Sequence, residues 1–271
     1  MTPLGLIAGA GALPRRILRD QAERGRPVFV LALEGQTDQE TVAGVPHAWA
    51  RLGAASQILQ SLRGAGVTDL VMAGKVERPS LLSLAPDIEG AAILARIGWR
   101  ALGDDGLLRA VAGELESRGF RLLSVPEVLS NATARAGVWG KVAPDAAAQA
   151  DIVRGFGVAA ALGQVDVGQA VVVQQGIVLG VEAIEGTDAL IARAAALARP
   201  GPRPVLVKRA KPGQHLALDL PVIGPATLAA AVGSGFAGIA LEADRVVVID
   251  RDALIATADA AGLFLLAEAL S

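Results

Sequence analysis

An α/β chain of two domains is what this sequence predicts, and three observations carry that expectation. Its 271 residues correspond to about 1.8 domains at roughly 150 residues each. The first third alternates short apolar runs with amphipathic stretches of helical period, the grammar of parallel strands joined by helices. Past residue 145 the grammar changes to β-branched runs broken by a short turn and mixed with helices, which reads as a separate α+β unit.

The elements follow in chain order. Leu4 to Ala8 is an apolar run ending at Gly9-Ala10-Gly11. Leu13 to Arg24 has helical periodicity with Gly25 as its stop, and Pro27 to Leu33 is rich in strand formers. Ala54 to Gly64 reads as an amphipathic helix, and Asp69 to Ala73 as a strand running into Gly74-Lys75. Helices are expected over Ile88 to Ala101 and Asp104 to Arg118, with a strand at Phe120 to Ser124. Right-handed crossovers would bring these strands into one parallel, Rossmann-like sheet over residues 1–130. Residues 131–144, with Pro126 just before them and Gly137, Gly140 and Pro144 within, suit a linker or hinge.

Residues 145–271 form the second domain. Asp145 to Leu162 is helical, and Ala170 to Gln174 with Ile177 to Glu182 makes a hairpin across Gln175-Gly176. Thr187 to Ala198 is a helix and Val205 to Lys208 a strand. Leu220 to Leu241 carries no charge, but Pro221, Pro225 and its glycines make it a buried helix followed by a strand rather than a membrane span. A second hairpin is expected over Ile239 to Ile249, turning at Glu242 to Arg245.

Composition removes several kinds of chemistry. At 52% hydrophobic and 19% charged residues, the chain has the core-forming content that disordered segments lack. A net charge of -2 gives no general attraction to nucleic acid. With no cysteine and only His47 and His215, thiolate sites, cysteine nucleophiles and a multi-histidine zinc site drop out. No signal-peptide pattern opens the sequence, so a cytoplasmic location is expected. What remains is work by carboxylates, Lys and Arg, hydroxyls and backbone.

Four segments carry such groups. GAGALP, with Gly11 and Ala12, is a glycine turn opening a helix, where backbone N–H groups and the helix dipole favour an anion. The dinucleotide fingerprint would need a third glycine where Pro14 stands, so a nicotinamide-dependent oxidoreductase is the weaker alternative. GKVERP places Gly74 and Lys75 just past the carboxyl end of a strand, where ligands of open α/β sheets bind. In GDDGLL, Asp104 and Asp105 suit either a helix cap or a hard cation.

The densest cluster is VEAIEGTDALI. Glu182, Glu185 and Asp188 surround a Gly-Thr turn, and three carboxylates so close repel one another unless something cationic lies among them. Either Thr187 or Asp188 can also serve simply as the cap of the helix that follows. From Ala189 to Leu218 there is no acid, whereas Arg193, Arg199, Arg203, Lys208, Arg209 and Lys211 all fall there. A carboxylate cluster beside a basic window suits a metal–diphosphate substrate. The loop Lys211 to Pro221 then leads to Asp219.

Together GAGALP, GKVERP, GDDGLL, GQAVVVQQGIVLGVEAIEGTDALI and VKRAKPGQ…DLPVIG resemble the LpxI-type UDP-2,3-diacylglucosamine pyrophosphatases of lipid A synthesis, from Gly9 to about Thr227. The resemblance implies a two-domain enzyme that hydrolyses the diphosphate of an acylated UDP-sugar to UMP and 2,3-diacylglucosamine 1-phosphate, using Mg²⁺ or Mn²⁺. Where that family's Lys–Pro loop has an Asp after the Gln and an Arg two positions on, this chain has His215 and Ala217. Either Asp219 takes over that role or the chain is impaired. On this reading Asp188, Asp219 and Glu185 are the catalytic candidates. Gly11, Ala12, Gly74, Lys75, Gln169, Thr187, Asp188, Lys208 and Lys211 are the substrate contacts, with the substrate held between the two domains. Asp104, Asp105, Glu182, Glu185 and Asp219 are the metal candidates. Peripheral membrane contact and a homodimer are also expected, and a non-catalytic UDP-sugar or lipid carrier is the remaining alternative.

Overall fold

The structure is a computed structural model and describes residues 1–77, 84–97, 104–211 and 220–270. The chain divides into two compact units, the first ending at Asn131 and the second beginning at Ala132.

The first unit is built on five strands: β1 (Leu4–Ala8), β2 (Val28–Leu33), β3 (His47–Ala50), β4 (Asp69–Ala73) and β5 (Arg121–Leu122). They lie in the order β3-β2-β1-β4-β5, and every pairing is parallel. Central strands covered on both faces must be apolar throughout rather than alternating, and Leu4, Leu6, Val30, Leu31, Leu70 and Val71 are fully buried. The helices are α1 (Ala12–Glu23), α2 (Ala55–Gly64), α3 (Ile88–Ile97), α4 (Asp104–Ser117) and the one-turn α5 (Val125–Val128). Helix α1 turns Leu13, Pro14 and Ile17 inward at helical spacing. β3 was not legible in the sequence; HAWA is short and half-exposed, so it lacks the apolar run that marks its neighbours.

The second unit holds β6 (Gly137–Trp139), β7 (Ala170–Gln174), β8 (Ile177–Val181), β9 (Val205–Lys208), β10 (Val222–Ile223), β11 (Gly238–Glu242), β12 (Val247–Val248) and β13 (Phe264–Glu268). Its main sheet runs β6-β13-β11-β9-β7-β8. β9, β11 and β13 are mutually parallel, while β7, β8 and β6 are antiparallel additions at the flanks. The expected hairpin over residues 239–249 does not form. β11 lies between β9 and β13 instead, and β12 pairs with β10 in a separate two-stranded sheet. A polar break between two apolar runs marks a chain reversal equally well whether the second run returns to the first or leaves for another sheet. Residues 137–139, within the segment read as a linker, form the edge strand β6.

Four helices cover this sheet: α6 (Ala146–Gln164), α7 (Thr187–Ala195), α8 (Pro225–Gly233) and α9 (Arg251–Ala261). Asp145 caps α6 by accepting the Ala148 N–H at 2.8 Å, Pro225 opens α8, and Gly262 closes α9 at φ 63°. Helix α6 packs Ala148, Ile152 and Phe156 onto one face, against Val205, Val207, Ala240 and Phe264. On the other face Leu190, Ile191, Leu228, Ala231, Leu254 and Ala258 of α7, α8 and α9 meet Val172, Leu206, Ile239 and Leu265. Each fully buried large side chain in these layers contributes about 1.5–3 kcal/mol of transfer free energy. The packing fixes the carboxyl ends of β9, β11 and β13 at one rim, where β7 begins and β8 ends. Among the described residues no helix is long and apolar enough to cross a membrane.

Candidate functional site

Lys208 ends β9 and is 5% exposed. A buried ammonium is costly unless its N–H groups are satisfied, and two acceptors are at hand: Thr187 Oγ1 at 2.7 Å and the Val222 carbonyl at 3.1 Å. The Thr187 hydroxyl in turn donates to Glu182 Oε1 at 2.5 Å, and Glu182 Oε2 accepts the Gln169 N–H at 3.2 Å. Thr187 and Glu182 are 9% and 6% exposed.

Backbone geometry makes this meeting possible. Gly186, at φ 83°, turns the chain out of the β8 loop into α7, a conformation that favours glycine. Gly168 admits the loop carrying Glu182 so closely that a Cβ there would lie 2.0 Å from the Glu182 carbonyl oxygen. Gln169, Glu182, Thr187 and Lys208, spread over 40 residues of sequence, thereby share one rim of the sheet, beyond the carboxyl ends of its parallel strands, where α/β folds bind ligands.

The three carboxylates of the AIEGTD segment have different partners. Glu182 meets Thr187; Glu185 pairs with Arg193 Nη2 at 2.7 Å and accepts the Ala183 N–H at 3.2 Å; Asp188, exposed near the start of α7, accepts the Thr227 hydroxyl at 3.2 Å. The Glu185 carboxyl is held below the usual carboxylate range, first by its own backbone N–H and then by the Arg193 guanidinium, against the opposing effect of burial. The cation that the spacing of these acids calls for is supplied in part by the chain itself. Arg193, and Lys208 acting through Thr187, already supply positive charge. Among the described residues no three His, Asp or Glu side chains converge as a metal site. Asp104 and Asp105 open α4 with side chains outside those described, and His215 and Asp219 lie outside the described residues. The described groups do not fit a divalent cation by themselves, and no chemical step is assigned to one.

Lys211 forms an ion pair with Asp166 at 2.5 Å, which ties the start of the Lys–Pro loop to the turn after α6. Sequence reasoning overlooked a neighbouring group. Glu242, 5% exposed at the end of β11, accepts the Ala210 N–H at 2.9 Å, while Arg209 Nη2 and Arg245 Nε each stand 3.7 Å from its Oε1. The available signals were a lone acid closing the apolar run GIALE and an Arg beside Lys208 in the basic window.

In the first unit the strand order reverses between β1 and β4, the place where open α/β sheets offer a crevice. Gly9-Ala10 and Gly74-Lys75 lie there. Ala10 and Lys75 exchange backbone N–H···O bonds at 2.8 and 2.9 Å, and a Cβ on Gly9 would sit 2.4 Å from the Lys75 carbonyl oxygen. These two glycines are accounted for by the close crossing of two backbones. Gly11, at φ 99°, precedes α1 and gives its N–H to Asp38 Oδ2 at 2.9 Å. Ala12 and the Lys75 side chain are exposed beside it. Asp38 carries no fingerprint in the sequence and was not anticipated there. Pro14, where the dinucleotide fingerprint needs its last glycine, is buried within α1.

Two family models match the chain: LpxI N-terminal domain over residues 3–132 and LpxI C-terminal domain over residues 135–266. The UDP-2,3-diacylglucosamine pyrophosphatase LpxI of Caulobacter vibrioides is 41% identical across 98% of this chain and 97% of that protein. With both halves matched and the identity sustained over nearly the full length, the chain belongs to the LpxI family.

Proposed function

We propose that this protein hydrolyses the diphosphate of UDP-2,3-diacylglucosamine, releasing UMP and 2,3-diacylglucosamine 1-phosphate. Water oxygen bonds to one phosphorus, the bridging P–O bond breaks, the departing phosphate takes the electron pair, and the proton lost by the water passes to that phosphate or to solvent. The observation that carries the reading is the buried Lys208 ammonium at the sheet rim, seated on Thr187 and Glu182 in a member of this family.

The chemistry then falls to named groups. A preorganised ammonium stabilises negative charge growing on phosphate oxygens, and it does so best where water is scarce. Lys208 takes that role, with Gln169, Thr187 and Lys211 as further contacts, and Gly11, Ala12, Gly74 and Lys75 as the contacts of the first unit. A carboxylate held below its usual range and already engaged by a guanidinium is a poorer proton acceptor, so Glu185, paired with Arg193, is the weakest of the three catalytic candidates. Orientation of water is assigned to Asp188 and Asp219. Ile184, 92% exposed, and Val165 and Val167, also exposed, stand on the loops that carry Glu182 and Gly168 and suit an acylated ligand or peripheral contact with a membrane.

The test is UMP release from UDP-2,3-diacylglucosamine, run with Mg²⁺, with Mn²⁺ and with EDTA. Stoichiometric UMP and sugar phosphate are expected, and loss in EDTA would establish the metal requirement that the resemblance implies. Binding of the acylated UDP-sugar with no hydrolysis at any metal concentration would replace this reading with a carrier role.

A further inference from the structure

We propose that Glu182 is a positioning residue that holds the Lys208 ammonium in place through the Thr187 hydroxyl, rather than a ligand for metal. The inference deepens the reading above and rests on it. Its starting point is hydrogen-bond polarity. An ammonium only donates, and a hydroxyl has a single proton. With Lys208 Nζ 2.7 Å from Thr187 Oγ1, the hydroxyl must accept on that side. Its own proton is thereby committed to Glu182 Oε1, 2.5 Å away. The carboxylate cannot donate back, so the direction of the whole chain, Lys208 to Thr187 to Glu182, is fixed by the charges at its two ends.

Each link is buried and built by a different element: Lys208 by β9, Thr187 by the first turn of α7, and Glu182 by the loop after β8. Glu182 is anchored independently, its other oxygen accepting the Gln169 N–H and its backbone N–H bonding to Ala170 O at 2.8 Å. The hydroxyl passes the pull of the Glu182 carboxylate on to the ammonium and fixes where one of its N–H groups points. A side chain with four flexible carbons is otherwise a loosely placed charge, and phosphoryl transfer depends on placement.

Glu182→Gln, Thr187→Val and Thr187→Ser are compared with the unaltered protein in steady-state UMP release, alongside thermal melting. Glu182→Gln keeps the shape but removes the charge; Thr187→Val keeps the shape but removes the hydroxyl. Each is expected to lower kcat at least tenfold with KM changed by less than about threefold, because the ammonium is misplaced for the transition state while the remaining substrate contacts survive. Thr187→Ser restores the hydroxyl and is expected to recover most of the turnover lost in Thr187→Val. Should either shape-preserving variant melt below the assay temperature, the serine variant decides on its own: kcat within about fivefold of the unaltered protein supports the relay, and a loss as deep as that of Lys208→Met overturns it. Folded Glu182→Gln and Thr187→Val proteins with unchanged kcat would overturn the positioning role alone. An unaltered protein that releases no UMP would overturn the pyrophosphatase reading, and the positioning role with it.

Discussion

Gly11 donates its backbone N–H to Asp38 Oδ2 at 2.9 Å, so a carboxylate of the chain itself sits at the amino terminus of α1. Arg15 also contacts this carboxylate, at 3.4 Å. Helix amino termini favour negative charge by about 0.3–1 kcal/mol, and a phosphate brought to Gly11 must compete with Asp38 for that position. Asp38→Ala is therefore expected to tighten UMP binding by about two- to fivefold, measured by isothermal titration. Weaker or unchanged affinity would remove Gly11 and Ala12 from the phosphate contacts.

Gly168 offers a steric test of the rim. A methyl group there would lie 2.0 Å from the Glu182 carbonyl oxygen, so Gly168→Ala must push the Glu182 loop aside. A loss of about 1–3 kcal/mol in stability, accompanied by reduced UMP release, is expected. Gly157 on α6 has open space around its Cβ position, and Gly157→Ala serves as the control, neutral or stabilising by up to about 1 kcal/mol. Chemical denaturation of both variants makes the comparison.

Asp69, at the start of β4, accepts from Arg121 and Arg26 at 2.8–2.9 Å. The Arg121 hydrogen bond, with Arg26 beside it, holds its carboxyl below the usual carboxylate range even though burial opposes this. A carboxyl depressed in the folded state stabilises the fold above its unfolded pKa, about 3.9, and that contribution is lost as pH falls through the lower folded value. Asp69→Asn is expected to cost about 1–3 kcal/mol at pH 7. The gap between the two proteins should close as the medium is acidified below about pH 4. Urea melts at several pH values would show it; a gap that widens in acid would refute the pairing.

Asp188→Ala and Asp219→Ala address the groups proposed to orient water. Turnover is expected to fall by about two orders of magnitude or more in each, with circular dichroism unchanged. Rates equal to those of the unaltered protein from both variants would withdraw these residues from the chemistry. Glu185→Gln, by contrast, breaks a partly exposed pair with Arg193, and a stability change below about 1 kcal/mol is expected.

Local pattern carried most of the fold. β1, β2, β4, β7 and β9 are apolar runs buried almost throughout, and the β7–β8 turn is visible in Gln175-Gly176, both at positive φ. Partner choice among strands was not legible, because it is set far along the chain. Ile239 of β11 pairs with Leu265 of β13 and Leu206 of β9, while the apolar run nearest to it in sequence, at Val247, joins Val222 instead. The site divides the same way. Residue types and spacing singled out Glu182, Thr187 and Lys208, yet only the fold shows that Glu182 faces Thr187, that Glu185 reaches eight residues on to Arg193, and that Asp188 meets Thr227. Asp38 at Gly11 left no trace in the pattern, since it lies 27 positions on, past a helix and a strand.

The most direct measurement is UMP released from UDP-2,3-diacylglucosamine by the unaltered protein and by Lys208→Met under the same metal and pH conditions. UMP and sugar phosphate in equal amounts from the first, with turnover lower by at least about a hundredfold in a folded Lys208→Met protein, is the expected result. No UMP from the unaltered protein, or equal rates from the two, would contradict a pyrophosphatase that works through the ammonium at this rim.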